Sequence, residues 1–214
     1  AGSRDVAVLN NIISDSVTGI EVTVSRDLLV ANNVVFNNVV GIGMYHANMA
    51  GTKPDFPPYS NWVFENNSVM DNNRVNNAPE GSFQSGLPSG IGILMVGVRG
   101  ETVRSNVVEG NNIAGFAMIG FCTVQQLFFQ VDCEGPNAPR DSDPSANNNT
   151  IIGNEFSCNG DVGIPSLGVP GTDISYIQTQ AEFLLQPNTN CFQNNTTPDG
   201  TFSTDNFVTQ IPLP

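Results

Sequence analysis

The polar residues best suited to chemistry lie together in one segment of the chain. Tyr45 and His46 are adjacent, and Lys53, Asp55 and Tyr59 follow shortly after them. A histidine and a tyrosine at the mouth of a groove could act as base and acid in a proton abstraction, while the later residues bind the substrate. A lone histidine at the end of a strand is also typical of a hydrogen-bonded corner residue. Both interpretations follow from the residue types.

Charged residues elsewhere could complete such a site. Arg74 and Arg99 are candidates for neutralising the negative charge of a substrate. Oxygen ligands for Ca²⁺ are available in a later acidic segment at Asp132, Glu134, Asp141 and Asp143. Their spacing does not match a regular Ca²⁺ loop, and the sequence predicts no other metal or cofactor.

A repeat in the chain indicates which elements position these residues. Ser3–Ile13 and Ser25–Val35 align without a gap at an offset of 22 residues, and both continue into a Gly-Ile pair. Such a short period of β-branched strands and Asn pairs is typical of a solenoid whose coils are made of strands. Further copies begin at Trp62, Thr102 and Thr150, with a degenerate copy at Cys191. Within a strand, alternation predicts that Val6, Val8 and Ile13 point inward.

One asparagine recurs at the same place in each copy. The column consists of Asn11, Asn33, Asn67, Asn106 and Asn154. Asparagine tolerates the left-handed backbone conformation that sharp corners need, and its amide can satisfy backbone groups that a turn leaves unpaired. We therefore predict a ladder of asparagine side chains that hydrogen-bond from coil to coil.

These copies, from Ser3 to about Asn195, resemble the right-handed parallel β-helix repeat proteins, such as the pectate lyases and the alginate epimerases. The resemblance implies an all-β fold: one single-stranded right-handed parallel β-helix of about six coils. It forms a single domain over residues 1–214, with three long loop insertions and a tail over residues 197–214. The insertions are expected at 46–59, 75–89 and 120–144, as irregular loops. This superfamily includes lyases, epimerases, galacturonases, phage tailspikes and surface proteins without catalysis, so the fold does not specify an activity.

All three insertions adjoin the Gly-Ile strands and are predicted to build walls around the outer face of that sheet. One outward column is expected to contain Glu21, Gly43, Gly92 and Ala117, and the next Thr23, Tyr45, Leu94 and Ile119. This face lacks the carboxylates and arginines that the resemblance implies for a lyase or galacturonase. Because it is small and apolar, it needs a cover. The loop containing Phe128 and Phe129, the C-terminal tail or a partner chain could provide one.

Composition restricts the function classes. The chain has 7 basic and 20 acidic residues, for a net charge of −13. This balance argues against nucleic acid, against an anionic membrane surface, and against polyanionic polysaccharides unless Ca²⁺ bridges the charges. No apolar run approaches the roughly 18 residues of a membrane span.

The cysteines indicate the compartment. Four cysteines fit two disulfides, and the pairs Cys122–Cys133 and Cys158–Cys191 are the plausible ones among three connectivities. Oxidised cysteines and an acidic chain together predict an extracellular or cell-surface protein.

Three functions remain in view. The leading hypothesis is a secreted or cell-surface module that binds a glycan or a partner surface without catalysis. The first alternative is a polysaccharide lyase or uronan epimerase that uses Tyr45 and His46. The second is a structural subunit that stacks end to end in an envelope assembly or filament, because the first coil begins at Ser3 without a capping helix. The expected partner at that end is a polysaccharide or another protein chain.

Overall fold

The chain winds into coils that each contribute one strand to three parallel sheets. The structure is a computed structural model that describes residues 3–46, 60–129, 145–168, 170–178, 189–197, 200–201 and 208–210. The first sheet contains β1 (Ser3–Leu9), β4 (Ser25–Ala31), β7 (Ser60–Glu65), β10 (Thr102–Arg104), β13 (Thr150–Ile152) and β16 (Cys191–Gln193), in that order. The second contains β2 (Ile12–Ser14), β5 (Val34–Phe36), β8 (Ser68–Met70), β11 (Val107–Glu109), β14 (Glu155–Ser157), β17 (Thr196–Thr197) and β18 (Gly200–Thr201). The third contains β3 (Thr18–Val22), β6 (Val40–Tyr45), β9 (Ile91–Val96), β12 (Ala114–Ile119), β15 (Thr172–Gln178) and β19 (Val208–Gln210).

This arrangement confirms the predicted parallel β-helix of about six coils. Strands of successive coils pair in parallel, and Ser3 lies beside Ser25 in the register that the repeat predicts. The exception is β18, which turns back and pairs with β17 in the antiparallel direction.

The interior of the helix is a continuous apolar core. Its fully buried members include Val30, Val35, Ile42, Trp62, Phe64, Ile93, Val103, Phe116 and Ile151. The predicted inward residues Val6, Val8 and Ile13 pack against this core and are partly buried. Because each coil contacts its neighbours over the same columns, the core has no interruption between coils.

The corners between sheets depend on left-handed backbone conformations. One residue at each corner has a positive φ, and most of these residues are Asn, Asp or Gly, which tolerate that region. The corner between the first and second sheets uses Asn10, Asn32, Asn66, Ser105, Gly153 and Asn194. The corner between the second and third sheets uses Asp15, Asn37, Asp71, Gly110 and Cys158.

The predicted insertions adjoin the third sheet, but they are not all irregular. The second carries a short 3₁₀ helix, Phe83–Gly86, and the third begins with helix α1, Phe121–Phe129. Most of the first insertion and the rest of the third lie outside the described residues. A further connection, between β14 and β15, carries a 3₁₀ helix at Pro165–Leu167. This connection is not among the insertions predicted from the sequence.

The predicted outward columns of the third sheet need one correction. Gly43 lies beside Leu94 and Ala117, whereas Gly92 lies between Ile91 and Ile93, which pair with Val40 and Ile42. Gly92 therefore belongs to a different column, with Gly41. The same slip displaces Leu94, which lies beside Gly43, and Val96 takes the predicted place of Leu94 beside Tyr45. The reason is that this strand contains two Gly-Ile pairs, Gly90-Ile91 and Gly92-Ile93. The prediction aligned Gly41-Ile42 with the first pair, whereas the structure aligns it with the second, two residues later.

Candidate functional site

The outer face of the third sheet, where the sequence predicted a groove, is closed by the chain itself. A second apolar cluster lies on this face and includes Val40, Tyr45, Leu87, Ile91, Leu94, Val96, Ala117, Ile119 and Val124. Leu87 comes from the second insertion and Val124 from α1, so these two elements supply the cover that the apolar face needs. The space left between them and the sheet amounts to about 10 Å³, which is too small for a sugar.

Tyr45 is part of this closed layer. Its ring lies over Gly43, where a Cβ atom would collide with the tyrosine oxygen. The ring also packs edge to face on Phe83, at 5.1 Å between ring centroids. Burial raises the pKa of the Tyr45 phenol well above its usual value, the contact with Thr18 lowers it, and the nearby Glu21 raises it further. At neutral pH the phenol therefore stays protonated.

His46 is also buried, with 2% of its surface exposed. Its backbone N–H donates to the carbonyl oxygen of Val96 at 2.9 Å, and its ring lies 5.1 Å from that of Phe121 at the start of α1. The structure thus brings Tyr45 and His46 together beneath the insertions, and neither side chain reaches a surface on which a polysaccharide could lie.

The other predicted site residues are dispersed. Arg74 pairs with the exposed Asp15 at 3.0 Å, at the corner between the second and third sheets. Arg99 is half-buried in the connection between β9 and β10. The binding candidates Lys53, Asp55 and Tyr59 lie outside the described residues, as does the acidic segment predicted to bind Ca²⁺. Within the described part of the chain, no cluster of His, Cys, Asp and Glu could hold a metal ion.

The predicted disulfides have different outcomes. Cys158 and Cys191 carry free, exposed thiols, so the predicted bond between them is wrong in this structure. The reason is that Cys158 lies at a corner after the second sheet, whereas Cys191 belongs to the first sheet beside Thr150. Cys122 lies in α1 and its predicted partner Cys133 falls outside the described residues, so that pair stays a prediction.

The predicted asparagine ladder is present and continues to Asn195. At each step the backbone N–H and the side-chain amide of one asparagine donate to Oδ1 of the next, at 2.9–3.0 Å for the pairs from Asn11–Asn33 to Asn154–Asn195. From Asn33 onward these side chains are almost fully buried. The ladder satisfies the polar groups that the corner would otherwise leave unpaired in the core.

A second ladder was missed in the sequence, although its signal is regular. It follows the first ladder by five residues in every coil and consists of Ser16, Asn38, Asn72, Asn111 and Asn159. Its last acceptor is Asp173, whose Oδ1 receives both the N–H and the side-chain amide of Asn159. A search for Asn at a fixed distance after the first column would have found it.

A third, shorter column precedes the first ladder by five residues. Asn149 donates its N–H to Asn190 Oδ1, and Glu101 donates its N–H to Asn149 Oδ1. The carboxylate of Glu101 in turn accepts the N–H of Trp62 in the preceding coil. Burial raises the pKa of Glu101 to about 7, against the lowering effect of this hydrogen bond.

The outer face of the second sheet is open in the described part of the chain, unlike that of the third. Its two outward columns are Ile12, Val34, Ser68, Val107, Glu155 and Thr196, and Ser14, Phe36, Met70, Glu109 and Ser157. Ile12 is 77% exposed, Val107 40% and Phe36 36%. We call the apolar part of this face, made of Ile12, Val34, Phe36, Met70 and Val107, the apolar strip.

Polar corners border the apolar strip on both sides. The exposed amides of Asn10, Asn32 and Asn66 follow the first edge, and Asp15, Asn37 and Asp71 follow the second. Asn37 donates to Asp15 at 2.8 Å, and Arg74 donates to the same carboxylate. The second strands contain the signal for this face, because in β2, β5, β8 and β11 at least one of the two residues that flank the buried one is apolar. The sequence analysis predicted the inward side of these strands, at Ile13, but did not consider their outward side.

Comparison with known proteins gives the fold family. A family model described as right handed beta helix region matches residues 1–130. No curated protein and no solved structure matches the chain. Among the described residues, no helix is both long and apolar enough to cross a membrane.

Proposed function

Because the chain belongs to the right-handed β-helix family, we propose that it is a non-catalytic β-helical module, secreted or held at a cell surface, which binds an uncharged glycan on the outer face of the second sheet. The observation that carries this proposal is the apolar strip, which exposes Ile12, Phe36 and Val107 between two rows of polar corners. A contiguous exposed apolar patch with a polar rim is typical of a binding surface.

The chemistry of this face favours a sugar polymer over a flat hydrophobic partner. An aromatic ring and aliphatic side chains can pack on the apolar face of a pyranose, and amide and carboxylate groups at the corners can hydrogen-bond its hydroxyl groups. Because coils repeat at about 4.8 Å, the same groups recur along the helix axis, as the groups of a polysaccharide do.

The charge of the face favours an uncharged glycan. Glu109 and Glu155 lie in the outward columns beyond Met70 and Val107, and Asp15 and Asp71 lie at the corner. A uronan would bring carboxylates against these carboxylates in a chain whose net charge is −13. The burial of Tyr45 and His46 also gives no support to an acid–base mechanism on the third sheet.

The test is a binding assay with insoluble polysaccharides, both neutral and uronic. We expect the chain to bind at least one neutral polymer, and the double variant Phe36→Ser, Met70→Ser to lose at least tenfold in affinity. Val63→Thr, on the outer face of the first sheet, is the matched control and should bind as the unmodified chain does. Binding only to uronic polymers, or equal binding by the double variant, would contradict the proposal.

A further inference from the structure

Four segments of the chain carry the pattern Asn-X-Ser/Thr, in which the first asparagine can accept an N-linked glycan. They begin at Asn66, Asn148, Asn194 and Asn195. In the first three, the middle residue is itself a member of one of the asparagine columns described above, namely Asn67, Asn149 and Asn195. A ladder of asparagine pairs produces this pattern by accident wherever Ser or Thr follows. The position of each acceptor in the fold distinguishes an accidental copy from an accessible site.

The corner between the first and second sheets places the ladder residue inside the helix and its two flanking residues outside. Asn66 has φ 54° and is exposed, whereas Asn67 is 1% exposed. Ser68 then begins β8 in an outward column of the second sheet, beside Val34. Both groups that the pattern requires, the acceptor amide and the hydroxyl two residues later, therefore lie on the outer surface of the helix.

Two further segments repeat this geometry. At the same corner, Asn194 has φ 54°, and both Asn194 and Thr196 are exposed on either side of a buried ladder residue. At the corner between the third and first sheets, Asn148 has φ 57° and is exposed, and Thr150 begins β13 before the buried Ile151. The two corners thus carry three exposed acceptors, each with its hydroxyl residue on the outside.

The side-chain nitrogens of these three asparagines are available for reaction. Asn148 uses its Oδ1, which accepts the hydroxyl of Thr189 at 2.9 Å. Within the described part of the chain, the side-chain amides of Asn66, Asn148 and Asn194 donate no hydrogen bond. Substitution of one amide hydrogen by a sugar therefore breaks no hydrogen bond between described residues.

The fourth acceptor, Asn195, differs in every respect. It is fully buried, and its amide donates to the carbonyl oxygen of Ile151 at 2.8 Å. Its Oδ1 accepts both the N–H and the side-chain amide of Asn154. A glycan on Asn195 would have to leave through the core and would break the ladder, so this copy of the pattern is a structural asparagine.

Each exposed acceptor also has a small residue beside it in an adjacent coil. The hydrogen bonds of the corners place Ser105 beside Asn66, Gly100 beside Asn148 and Gly153 beside Asn194. A Cβ atom at Gly100 would meet no other atom within 4 Å, and one at Gly153 would meet only the Ser105 hydroxyl, at 3.9 Å. The first sugar of an attached glycan therefore has space along the corner.

We propose that Asn66, Asn148 and Asn194 are N-glycosylation sites and that Asn195 is not. This proposal rests on the secreted or cell-surface location proposed above, because the modification occurs on chains that enter a secretory pathway. The donor is an oligosaccharide linked through a diphosphate to a polyprenyl lipid. The amide nitrogen forms a bond to C1 of the first sugar, the bond from C1 to the diphosphate oxygen breaks, and the lipid diphosphate leaves. The amide proton passes to a base of the transferase.

The three sites lie along both edges of the first sheet. Asn66 and Asn194 are three coils apart at its corner with the second sheet, a separation of about 14 Å at a repeat of about 4.8 Å per coil. Asn148 lies at the opposite edge of the first sheet. Asn66 also borders the apolar strip, whereas Asn194 lies two coils beyond Val107, the last residue of the strip. The first sheet is therefore the glycosylated side of the helix.

The test maps glycans on the full chain, produced with a secretion signal in cultured animal cells. Peptide N-glycosidase in water that contains heavy oxygen converts each modified asparagine into a labelled aspartate, which peptide mass spectrometry locates. We expect label at Asn66, Asn148 and Asn194, and none at Asn195. Ser68→Ala keeps the Asn66 amide but removes the hydroxyl, and it should abolish the label at Asn66 alone.

Val34→Thr is the complementary variant. Asn32 occupies the same corner one coil before Asn66, is exposed with φ 57°, and precedes the buried ladder residue Asn33. Only the hydroxyl two residues later is missing. Because the corner supplies the remaining geometry, we expect Val34→Thr to gain one glycan, at Asn32. Urea unfolding after removal of the glycans checks that both variants are folded.

A folded chain recovered from the medium without label at the three proposed sites, or with label at Asn195, would overturn the proposal. A single unlabelled site would overturn its own assignment. Polysaccharide binding is measured separately, after the glycans have been removed. Loss of that binding then counts against the apolar strip, while the glycan map counts for or against these sites.

Discussion

At the residue scale, Glu101 marks a change in how one interior column is built. The residues in its column are Val6, Leu28 and Trp62 in the earlier coils, and Asn149 and Asn190 in the later ones. Glu101 lies between the apolar part of the column and its asparagine part, since its carboxyl oxygen accepts the N–H of Trp62 as an asparagine oxygen would. With 1% of its surface exposed, it is stabilised better as a neutral acid than as an anion.

This position makes stability depend on pH. The pKa of Glu101 is about 7 in the folded chain against 4.5 as its ordinary value. Between these values the folded state holds a proton that the unfolded state has lost. The contribution of Glu101 to the free energy of unfolding therefore falls as pH rises through this window, by up to about 3 kcal/mol. Glu101→Gln keeps an acceptor for Trp62 and carries no charge. We expect the free energy of unfolding of this variant to be close to that of the unmodified chain near pH 5 and to exceed it by about 2–3 kcal/mol at pH 8.

Urea unfolding at pH 5, 6, 7 and 8 checks this prediction. Glu109→Gln is the matched control, because Glu109 is exposed on the second sheet, and its removal should leave the pH dependence as it is. A Glu101→Gln variant whose stability follows pH as the unmodified chain does would show that Glu101 is not the group that titrates.

At the scale of the elements, the third sheet and the second ladder require each other. Gly19, Gly41, Gly92 and Gly115 face the amides of Asn38, Asn72, Asn111 and Asn159 in turn. At Gly92, for example, a Cβ would lie 2.7 Å from the carbonyl oxygen of Gly115 and 2.8 Å from the Asn111 amide nitrogen. The glycine column thus leaves room for the ladder that satisfies the corner, and Asp173 ends both columns together.

Gly92→Ala tests this coupling. The added methyl group has no free volume because backbone and ladder both enclose it, and overpacking of this kind costs about 1–3 kcal/mol or more. Gly100→Ala is the comparison, since a side chain at Gly100 has open space and only its left-handed backbone, φ 78°, is strained, for about 1 kcal/mol. We expect Gly92→Ala to lose clearly more stability in urea unfolding, and to broaden the NMR signal of the Asn111 side-chain amide. Equal losses would indicate that the column adjusts without disturbing the ladder.

At the scale of the whole molecule, the sequence predicted what repeats from coil to coil. The offset between the first two coils, the Asn11–Asn33 ladder and the inward position of Val6 follow from local periodicity, and all three are confirmed. The register of Gly92 was predicted wrongly because a slip of two residues leaves every side chain on the same face, so alternation cannot detect it.

What closes the third sheet could not be predicted for a different reason. The cover depends on where Leu87 and Val124 return to the sheet, and these residues belong to insertions of unequal length that have no repeat. Because Tyr45 and His46 lie under this cover, their predicted access to a substrate depended on the part of the chain that periodicity does not describe.

The ladder finally predicts how stability is distributed along the helix. In a stacked array each coil is held by its two neighbours, so a defect in the middle breaks more contacts than one at an end. Asn106 accepts from the N–H and the amide of Asn67 and donates to Asn154 and to the carbonyl of Phe64. Asn106→Ala therefore leaves several buried groups unpaired, at about 1–3 kcal/mol each.

Asn11→Ala, at the exposed end, removes only the side-chain hydrogen bonds to Asn33 and Leu9, and we expect it to lower the free energy of unfolding by less than about 1 kcal/mol. Urea unfolding measures the stability of the two variants, and hydrogen exchange measures the protection of their backbone amides. We expect the Asn106→Ala chain to lose protection in the coils on both sides of β10, and the Asn11→Ala chain to lose it only in β1 and β2. If the two variants lose equal stability, the coils do not share their stability through the ladder, and each must be stable mainly through its own core residues.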